Sequence, residues 1–412
     1  MSLELKLKYR DVDIDKVLSI PLYGKITSNI YKSIFHNNEL KIKTHGGNIL
    51  IVYTHARSMR NDFLQIIENL YDEIQVLFPT VAFDEPIVSL KEIYKLLLKI
   101  SESLSLFRIL PGGLFRRISL IIMIAATKRN IDNTFSFLEK VKFDILVTFC
   151  DAYEKDNIIA QCGNLMKKIT VTLQHGNYHI SDLDVPENMA LKNLVSNYMC
   201  AWSEATCDEY SKVNKKNTKL VPLGSLRTVS DFVEYDINEL IKNQTNRLIC
   251  LMLNADNDLD VNVRMIKITN EFCASKNFTY CIRYHPRNKK HFYSQFLNKS
   301  FVGEFNLSHN HMMLFSIIYT SGVMIELLSK GQLFFMYQDQ NVPQIFRQNV
   351  MTFINQHELY DLYKWVYSYK LESVEKMNSM RGYFVSTVDV KMKYLKFFKE
   401  IQDEILGKNY DL

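Results

Sequence analysis

The sequence predicts an α/β protein of two domains, each a mostly parallel sheet covered by helices. Three observations carry this. Strand-length apolar runs alternate with helix-length segments, and strands separated by that much chain are joined by crossovers, which makes neighbouring strands parallel. The alternation comes as two series, one on each side of a polar, lysine-rich stretch between Val213 and Lys219. The chain has 412 residues, more than one hydrophobic core usually organises, so two domains of about 200 residues are expected.

In the first series Asn48 to Tyr53 (NILIVY) reads as a buried strand and Asp62 to Leu77 as a helix. Phe143 to Phe149 and Ile169 to Leu173 read as strands, and Tyr198 to Trp202 as a short further one before Ser203-Glu204. The chain then passes Leu220-Val221-Pro222-Leu223-Gly224-Ser225-Leu226-Arg227 and begins again. Strand Arg247 to Leu253, helix Val261 to Lys276, strands Phe278 to Tyr284 and Leu314 to Tyr319, helix Gly322 to Lys330 and strand Gln332 to Tyr337 follow. Residues 1–222 and 223–387 are the expected domains. In 388–412, the amphipathic stretch Val388 to Ile405 is read as a helix packing across their junction. There is no internal repeat and no low-complexity tract.

Composition narrows the function classes. Hydrophobic residues make up 47% and aromatics 12%, enough for substantial cores. Fifty basic residues against 45 acidic ones, net +5, lack the concentrated basic character that nucleic acid demands. That balance suits anionic small ligands or an anionic membrane surface. Seven cysteines (Cys150, Cys162, Cys200, Cys207, Cys250, Cys273, Cys281) are an odd number without a C-x-x-C pair, and read as buried reduced thiols of a cytosolic protein. Met1 to Arg10 lacks an apolar signal core. The longest apolar run, Ile118 to Ala126, is far short of the ~20 residues a spanning helix requires. It reads first as a buried helix. Its flanks, Pro111 to Arg117 and Lys128-Arg129, support a competing reading as a segment lying on an anionic leaflet. The expected location is cytoplasmic, peripheral to the inner membrane.

The chemistry gathers at strand ends, where open α/β sheets bind ligands. Arg283-Tyr284-His285-Pro286-Arg287 stands where one apolar strand runs into a basic loop. An imidazole there can hydrogen-bond a phosphate or a base and stabilise charge on a departing nucleotide, with Arg283 and Arg287 beside it. Proline holds the loop and removes a donor. Thr320-Ser321-Gly322 stands where another strand turns into a helix, offering two hydroxyls and exposed backbone N–H groups to a phosphate. An ordinary N-cap uses the same donors and is the plainer reading. Glu326, one helical turn on, can accept from ribose hydroxyls. In the first domain Gln174-His175-Gly176-Asn177 follows a strand directly, and Gly176 permits the sharp turn that projects His175. An imidazole with its ordinary pKa near 6.5 can take a proton from an acceptor hydroxyl; the competing reading is a structural histidine, and His179 ranks second. Gly224, Ser225 and Arg227 can meet a phosphate or simply form a hinge.

Weaker signals read as structure. His45-Gly46-Gly47 and Lys289-Lys290 are expected in solvated loops, and Asp256-Asn257-Asp258 in a polar loop rather than a metal site. His309 and His311 diverge on a helix and have no acidic or cysteine partner at a familiar spacing, so no structural metal is expected. No Walker A or G-x-G-x-x-G pattern is present.

The motif order from about residue 140 to 340 resembles the bacterial GT-B glycosyltransferases of surface polysaccharide synthesis. The pattern is closest to the groups with a His-Pro and a Ser/Thr motif: sialyl- and polysialyltransferases, Kdo transferases and CDP-glycerol glycerophosphotransferases. The resemblance implies two Rossmann-like domains facing each other across a cleft, an acceptor-side domain first and a nucleotide-binding domain second. It implies no obligatory metal and no cofactor beyond a nucleotide-activated sugar, CMP- or CDP-linked. His285 would contact the nucleotide phosphate, Thr320 and Ser321 would cradle phosphate, Glu326 would hold the ribose, and His175 would face a glycan or lipid-linked glycan acceptor. His175 is the first choice of general base, with Asp151, Glu204 and Asp256 as the others. Rival readings are a glycerol- or ribitol-phosphate transferase, a nucleotide-sugar 2-epimerase and a non-catalytic scaffold for a partner transferase.

Overall fold

The computed structural model describes residues 6–19, 37–54, 61–87, 89–180, 188–213, 217–227, 235–306, 313–385 and 389–410. His309 and His311 fall outside them. Lys8–Tyr9 (β1) and Val12–Asp13 (β2) form a small antiparallel hairpin. Two larger sheets follow. The first contains β3 (Asn37–Thr44), β4 (Ile49–Tyr53), β5 (Thr80–Ile87), β6 (Ile145–Phe149), β7 (Ile169–Leu173), β8 (Tyr198–Ala201) and β9 (Lys219–Pro222). Its order is β3-β5-β4-β6-β7-β8-β9, parallel except where β3 meets β5. The second contains β10 (Leu248–Met252), β11 (Thr279–Arg283), β12 (Phe301–Glu304), β13 (Met313–Ile318), β14 (Phe334–Tyr337) and β15 (Thr352–Phe353). Its order, β12-β11-β10-β13-β14-β15, is parallel throughout and, counted from β10, is the 3-2-1-4-5-6 order of a doubly wound dinucleotide-binding sheet.

The strands read from sequence are the central ones, and their ends shift by only a residue or two. Every residue of β4, β6, β10 and β13 is buried, because helices cover both faces of a parallel sheet and leave no side for polar residues. The strands that composition did not announce lie at or near edges. β3 (NNELKIKT) is a polar edge strand, β5 carries Asp84 and Pro86, β9 is only half-buried, β12 alternates half-buried with exposed, and β15 is two residues long. An edge strand meets water on one side and needs no continuous apolar run.

Local chemistry sets the helix ends. Ser89 caps the helix Leu90–Ser103 by accepting from the Lys91 N–H at 3.2 Å. Asn277 ends the helix Leu259–Lys276 in the left-handed region at φ 56°, and the next N–H, of Phe278, closes on the Cys273 carbonyl at 3.0 Å. The run Ile118 to Ala126 lies inside the longer helix Leu114–Leu138, and Leu120, Ile121, Met123, Ile124, Ala125 and Ala126 are buried, as the core reading expected. Among the described residues no helix is long and apolar enough to cross a membrane. All seven cysteines are free thiols and only Cys207 is not fully buried.

The final helix, Val390–Tyr410, returns to the first sheet's side. Lys391 pairs with Glu73 at 2.6 Å, Phe397 sets its ring edge against Tyr198, and the Tyr394 hydroxyl donates to the Gly224 carbonyl at 3.1 Å. That last bond helps fix the segment between the sheets. Gly224 sits at φ 102°, where a side chain would be strained, and its N–H bonds to the Ala201 carbonyl.

Close approach of the helix Glu154–Leu165 to the sheet rests on Gly163. A Cβ there would lie 2.6 Å from Leu146 Cδ2 and 2.9 Å from Thr170 Cγ2. Gly163→Val is expected to lower the unfolding free energy by about 1–3 kcal/mol or more, read as a reduced urea midpoint at unchanged m-value.

Candidate functional site at the carboxyl edges of the sheets

In the second sheet the crevice lies where β10 and β13 part, since β10 connects outward on one side and β13 on the other. Asn254, just past β10, spans it, its amide donating to the Thr320 carbonyl at 3.3 Å and to Asp258 at 2.9 Å. Asn262 holds Asn254 by bonds to both its N–H and its carbonyl.

The His-Pro loop is fastened to this edge by Asp256. One carboxylate oxygen accepts from Asn288 and from the Tyr293 hydroxyl, each at 2.8 Å, and the other from the Lys289 N–H at 3.0 Å. Desolvation works against ionisation of Asp256, but those hydrogen bonds outweigh it and hold the carboxyl below its usual pKa. Asn288 also accepts from the His285 N–H at 2.7 Å. His285 is half-buried, and its Nδ1 accepts from the Arg287 N–H at 3.1 Å, which leaves the proton of the neutral ring on Nε2. Pro286, Arg287 and Lys289 are exposed, and Lys290 pairs with Glu304 on the surface. Asp256 and Asp258 thus occupy the short 3₁₀ turn Asp256–Asp258, the polar loop that the sequence suggested. Asp256 is a clamp here, with both carboxylate oxygens engaged by the His-Pro loop and its neighbours.

The Thr320-Ser321-Gly322 turn leads into the helix Val323–Ser329, with Gly322 rather than Ser321 at the cap position. Ser321 Oγ accepts from the Val323 N–H at a long 3.4 Å, and its carbonyl accepts from Met324 at 3.1 Å. Glu326 lies between two guanidinium groups. Arg227 reaches one carboxylate oxygen at 2.8 Å and Arg283 the other at 3.0 Å. Arg227 comes from the segment between the sheets, Arg283 from the end of β11 and Glu326 from the first turn after β13, so one carboxylate joins three elements distant in sequence. The Arg227 guanidinium also lies against Gly322, with Nη1 3.5 Å from where a Cβ would stand. Two guanidinium groups thus meet one carboxylate beside the Gly322 turn.

On the first sheet's edge, Gln174 is buried and shapes the turn after β7; Gly176 has no left-handed φ and a Cβ there would meet nothing within 4 Å, so the turn rests on Gln174 rather than on the glycine. The Gln174 side-chain carbonyl accepts from the Trp202 N–H and its amide donates to the Gly176 carbonyl, both at 2.7 Å. Asn177 then reaches the Ser321 carbonyl at 3.5 Å, and His179 sets its ring against Phe346. The histidine loop of one sheet therefore meets the serine turn of the other. His175 is half-buried among Phe149, Tyr153 and Tyr178. Its Nδ1 lies 2.7 Å from the Tyr178 hydroxyl, which is itself 2.6 Å from Cys150 Sγ, and Nε2 lies 3.4 Å from the Tyr153 hydroxyl. Burial pushes both the Tyr178 phenol and the Cys150 thiol well up, so both keep their protons. One phenolic proton serves two neighbours, so the chain has a direction. When His175 Nδ1–H donates to Tyr178 and Tyr178 donates to Cys150, the lone pair is on Nε2.

Asp151 is fully buried, with one oxygen accepting from the Val195 and Ser196 N–H groups and the other without a hydrogen-bond partner among the described residues. Burial raises its pKa, and its place is inside the fold, which corrects it as a candidate base. Glu204 is exposed in the first turn of the helix Glu204–Ser211. His45 and Gly46 are exposed and Gly47 half-buried, in the solvated loop that was expected, although the backbone passes close to the Phe78–Pro79 segment. Gly47 donates to the Phe78 carbonyl, and a Cβ on Gly46 would overlap that same carbonyl. Among the described residues no three His, Cys, Asp or Glu side chains gather to hold a metal. Sequence reasoning missed Asn254 and Asn288, and named Gln174 without giving it a role. Each is an amide making side-chain-to-backbone bonds across elements, and only the Asn just after the His-Pro motif gave a local signal.

No family model matches the sequence, and no curated protein matches it. Solved structures match its shape. S. aureus MnaA, in a co-structure with UDP, is 11% identical over 87% of this chain and 97% of its own, with a TM-score of 0.52. UDP-GlcNAc 2-epimerase from Neisseria meningitidis, bound to UDP-GlcNAc, is 12% identical over 85% and 100%, with a TM-score of 0.50. α,α-Trehalose 6-phosphate synthase from Burkholderia multivorans is 8% identical over 89% and 98%, with a TM-score of 0.51. At such identities the likeness is one of fold. The chain has two Rossmann-like domains in the GT-B arrangement.

Asp256→Ala is expected to speed amide exchange at His285 and Lys289 while leaving the exchange of β10 and β13 unchanged. In the wild type the clamp, a depressed carboxyl, is present above the ordinary carboxylate range and is lost as pH falls through the lowered pKa. The same amides should therefore lose protection in acid, and the variant should show no such step.

Proposed function

We propose that this chain is a nucleotide-sugar glycosyltransferase of the GT-B type that transfers a sugar to a glycan or lipid-linked glycan acceptor of the cell surface. The observation that carries the proposal is the Arg227–Glu326–Arg283 bridge beside the Gly322 turn. A nucleotide phosphate arriving at this turn competes with Glu326 for the guanidinium groups, which match phosphate geometry. Glu326, released in part, then has oxygens to accept from ribose hydroxyls. His285, with Nε2–H as donor, stands on the adjacent loop to neutralise charge on the leaving phosphate as the glycosidic carbon is attacked. Guanidinium and imidazole groups do this without a divalent cation, so turnover is expected to persist in chelator. A cytidine nucleotide is the proposed donor, on the strength of the motif resemblance.

A second reading is favoured by the structural likeness to UDP-GlcNAc 2-epimerases, one of them bound to UDP-GlcNAc. Epimerisation needs acidic groups close to the sugar C2. Of the strand-end carboxyls considered, Asp151 is buried, Asp256 is bound to the His-Pro loop and Glu204 is the exposed one, so the transferase reading is preferred.

Two measurements test the proposal. A nucleotide panel read by thermal unfolding should show stabilisation, about 2.7 kcal/mol for a ligand at 100 times its Kd, with cytidine ahead of uridine and guanosine. Glu326→Ala and His285→Ala should both weaken that binding. Glu326 and Arg227 are only 19% and 15% exposed, but Arg283 is 40% exposed, so loss of the bridge should cost only about 1 kcal/mol of stability. Native folding with unaltered nucleotide affinity in both variants would sink the site.

His175→Ala should lower kcat by about 10²–10⁴-fold with donor affinity nearly intact. Tyr178→Phe, which removes the partner of Nδ1, should give a smaller loss together with a shifted pH–rate profile. Rates within a few-fold of wild type in both would make His175 structural.

A further inference from the structure

The helix Leu90–Ser103 is amphipathic but faces the wrong way for a soluble domain. Beside the buried Leu96, its inward side is largely polar. Glu92 is buried and pairs with Lys95 at 2.6 Å, and Asn133 donates to it at 2.8 Å; Lys99 reaches Tyr9 at 2.8 Å and Asp132 at 3.1 Å. Its apolar side points to solvent. Leu90, Ile93, Tyr94, Leu97 and Leu98 form an i, i+3, i+4, i+7, i+8 stripe, with Leu90 86% and Tyr94 63% exposed. The neighbouring chain extends the stripe through Leu104 and Ile109, and across Gly112-Gly113 to Leu114, Phe115 and Ile118, all exposed. Apolar clusters of this kind on a domain surface mark a contact site.

Charge identifies the occupant. Residues 90–118 hold six basic side chains (Lys91, Lys95, Lys99, Arg108, Arg116, Arg117) and two acidic ones (Glu92, Glu102), a net of +4 against +5 for the whole chain. Glu92 is buried in its ion pair, and Lys91 and Arg108 are exposed beside the stripe. Lys95 and Lys99 are turned inward in ion pairs, so the cations that rim the apolar face are Lys91 and Arg108, with Arg116 and Arg117 half-buried at its end and the exposed Glu102 paired with Lys99. A protein partner would be met by apolar complementarity alone, whereas leucines and aromatics rimmed by cations suit acyl chains beneath anionic headgroups.

We propose that the surface formed by the helix Leu90–Ser103 and the first turn of the helix Leu114–Leu138 docks this protein on an anionic lipid bilayer. The membrane-facing part is thus the exposed segment ending at Ile118, while Leu120 to Ala126 turn mostly into the core. Docking at this surface does not depend on the nucleotide-sugar site.

The test is co-sedimentation of the full chain with vesicles of phosphatidylcholine, with or without phosphatidylglycerol. Binding is expected only with phosphatidylglycerol and should weaken at high salt. A Leu97→Asp/Phe115→Asp variant should lose it. A Lys91→Glu/Arg108→Glu variant, which leaves the apolar stripe untouched, should bind at least about tenfold more weakly, at about 1 kcal/mol per cation near such a surface. Both pairs are exposed, and circular dichroism would confirm native folding. No binding to phosphatidylglycerol vesicles, binding unaffected by either variant, or a stable dimer that Leu97→Asp/Phe115→Asp dissociates into monomers would overturn the proposal, the last by making a second copy the occupant.

Discussion

Glu326 placed between Arg227 and Arg283 is the constraint from which the candidate site takes its form. A single carboxylate, fixed by the helix that follows β13, faces two guanidinium groups supplied by a segment between the sheets and by the end of β11. Partly exposed ion pairs add little to stability. What this one adds is position. It sets the inter-sheet segment against the Gly322 turn, and the same segment is held from behind by Tyr394 of the last helix and by Asn69, which donates to the Leu226 carbonyl at 2.5 Å.

Around that bridge the strand-end loops are fixed by amides. Asn254 spans the crevice between β10 and β13, Asn288 and Asp256 fasten the His-Pro loop, and Gln174 folds the histidine turn of the other sheet. Such bonds keep side chains at a ligand-facing edge from relaxing into solvent, so the loops are ordered before anything binds. The histidine turn differs in character from the His-Pro loop. His175 is enclosed by aromatic rings and a phenol–thiol chain, whereas Nδ1 of His285 accepts a hydrogen bond from a backbone N–H, which puts the neutral ring's proton on Nε2. The first arrangement suits a group that gives and takes a proton, and the second suits one that donates to an anion.

The inverted helix Leu90–Ser103 shows the limit of pattern reading. Its apolar stripe is as regular as that of any core-facing helix, and from the sequence alone it would be turned inward. Ion pairs involving Glu92, Lys95, Lys99 and Asp132 turn it the other way, because burying those charges is tolerable only where each finds a partner.

Sequence alone determined the central strands, since a strand covered on both faces must be apolar at every position, and β4, β6, β10 and β13 are. It also placed the residue types of the candidate site at strand ends, because motifs such as Arg283 to Arg287 and Thr320 to Glu326 are local. Tertiary structure alone decided which of them meet. The pairing of Arg227 with Glu326 spans 99 residues and the contact of Asn177 with Ser321 spans 144, and no periodicity or spacing encodes contacts at that separation. It likewise withdrew Asp151 into the interior and gave Asp256 to the His-Pro loop. A carboxylate's role follows from the donors and the solvent around it, and these exist only once distant strands are side by side.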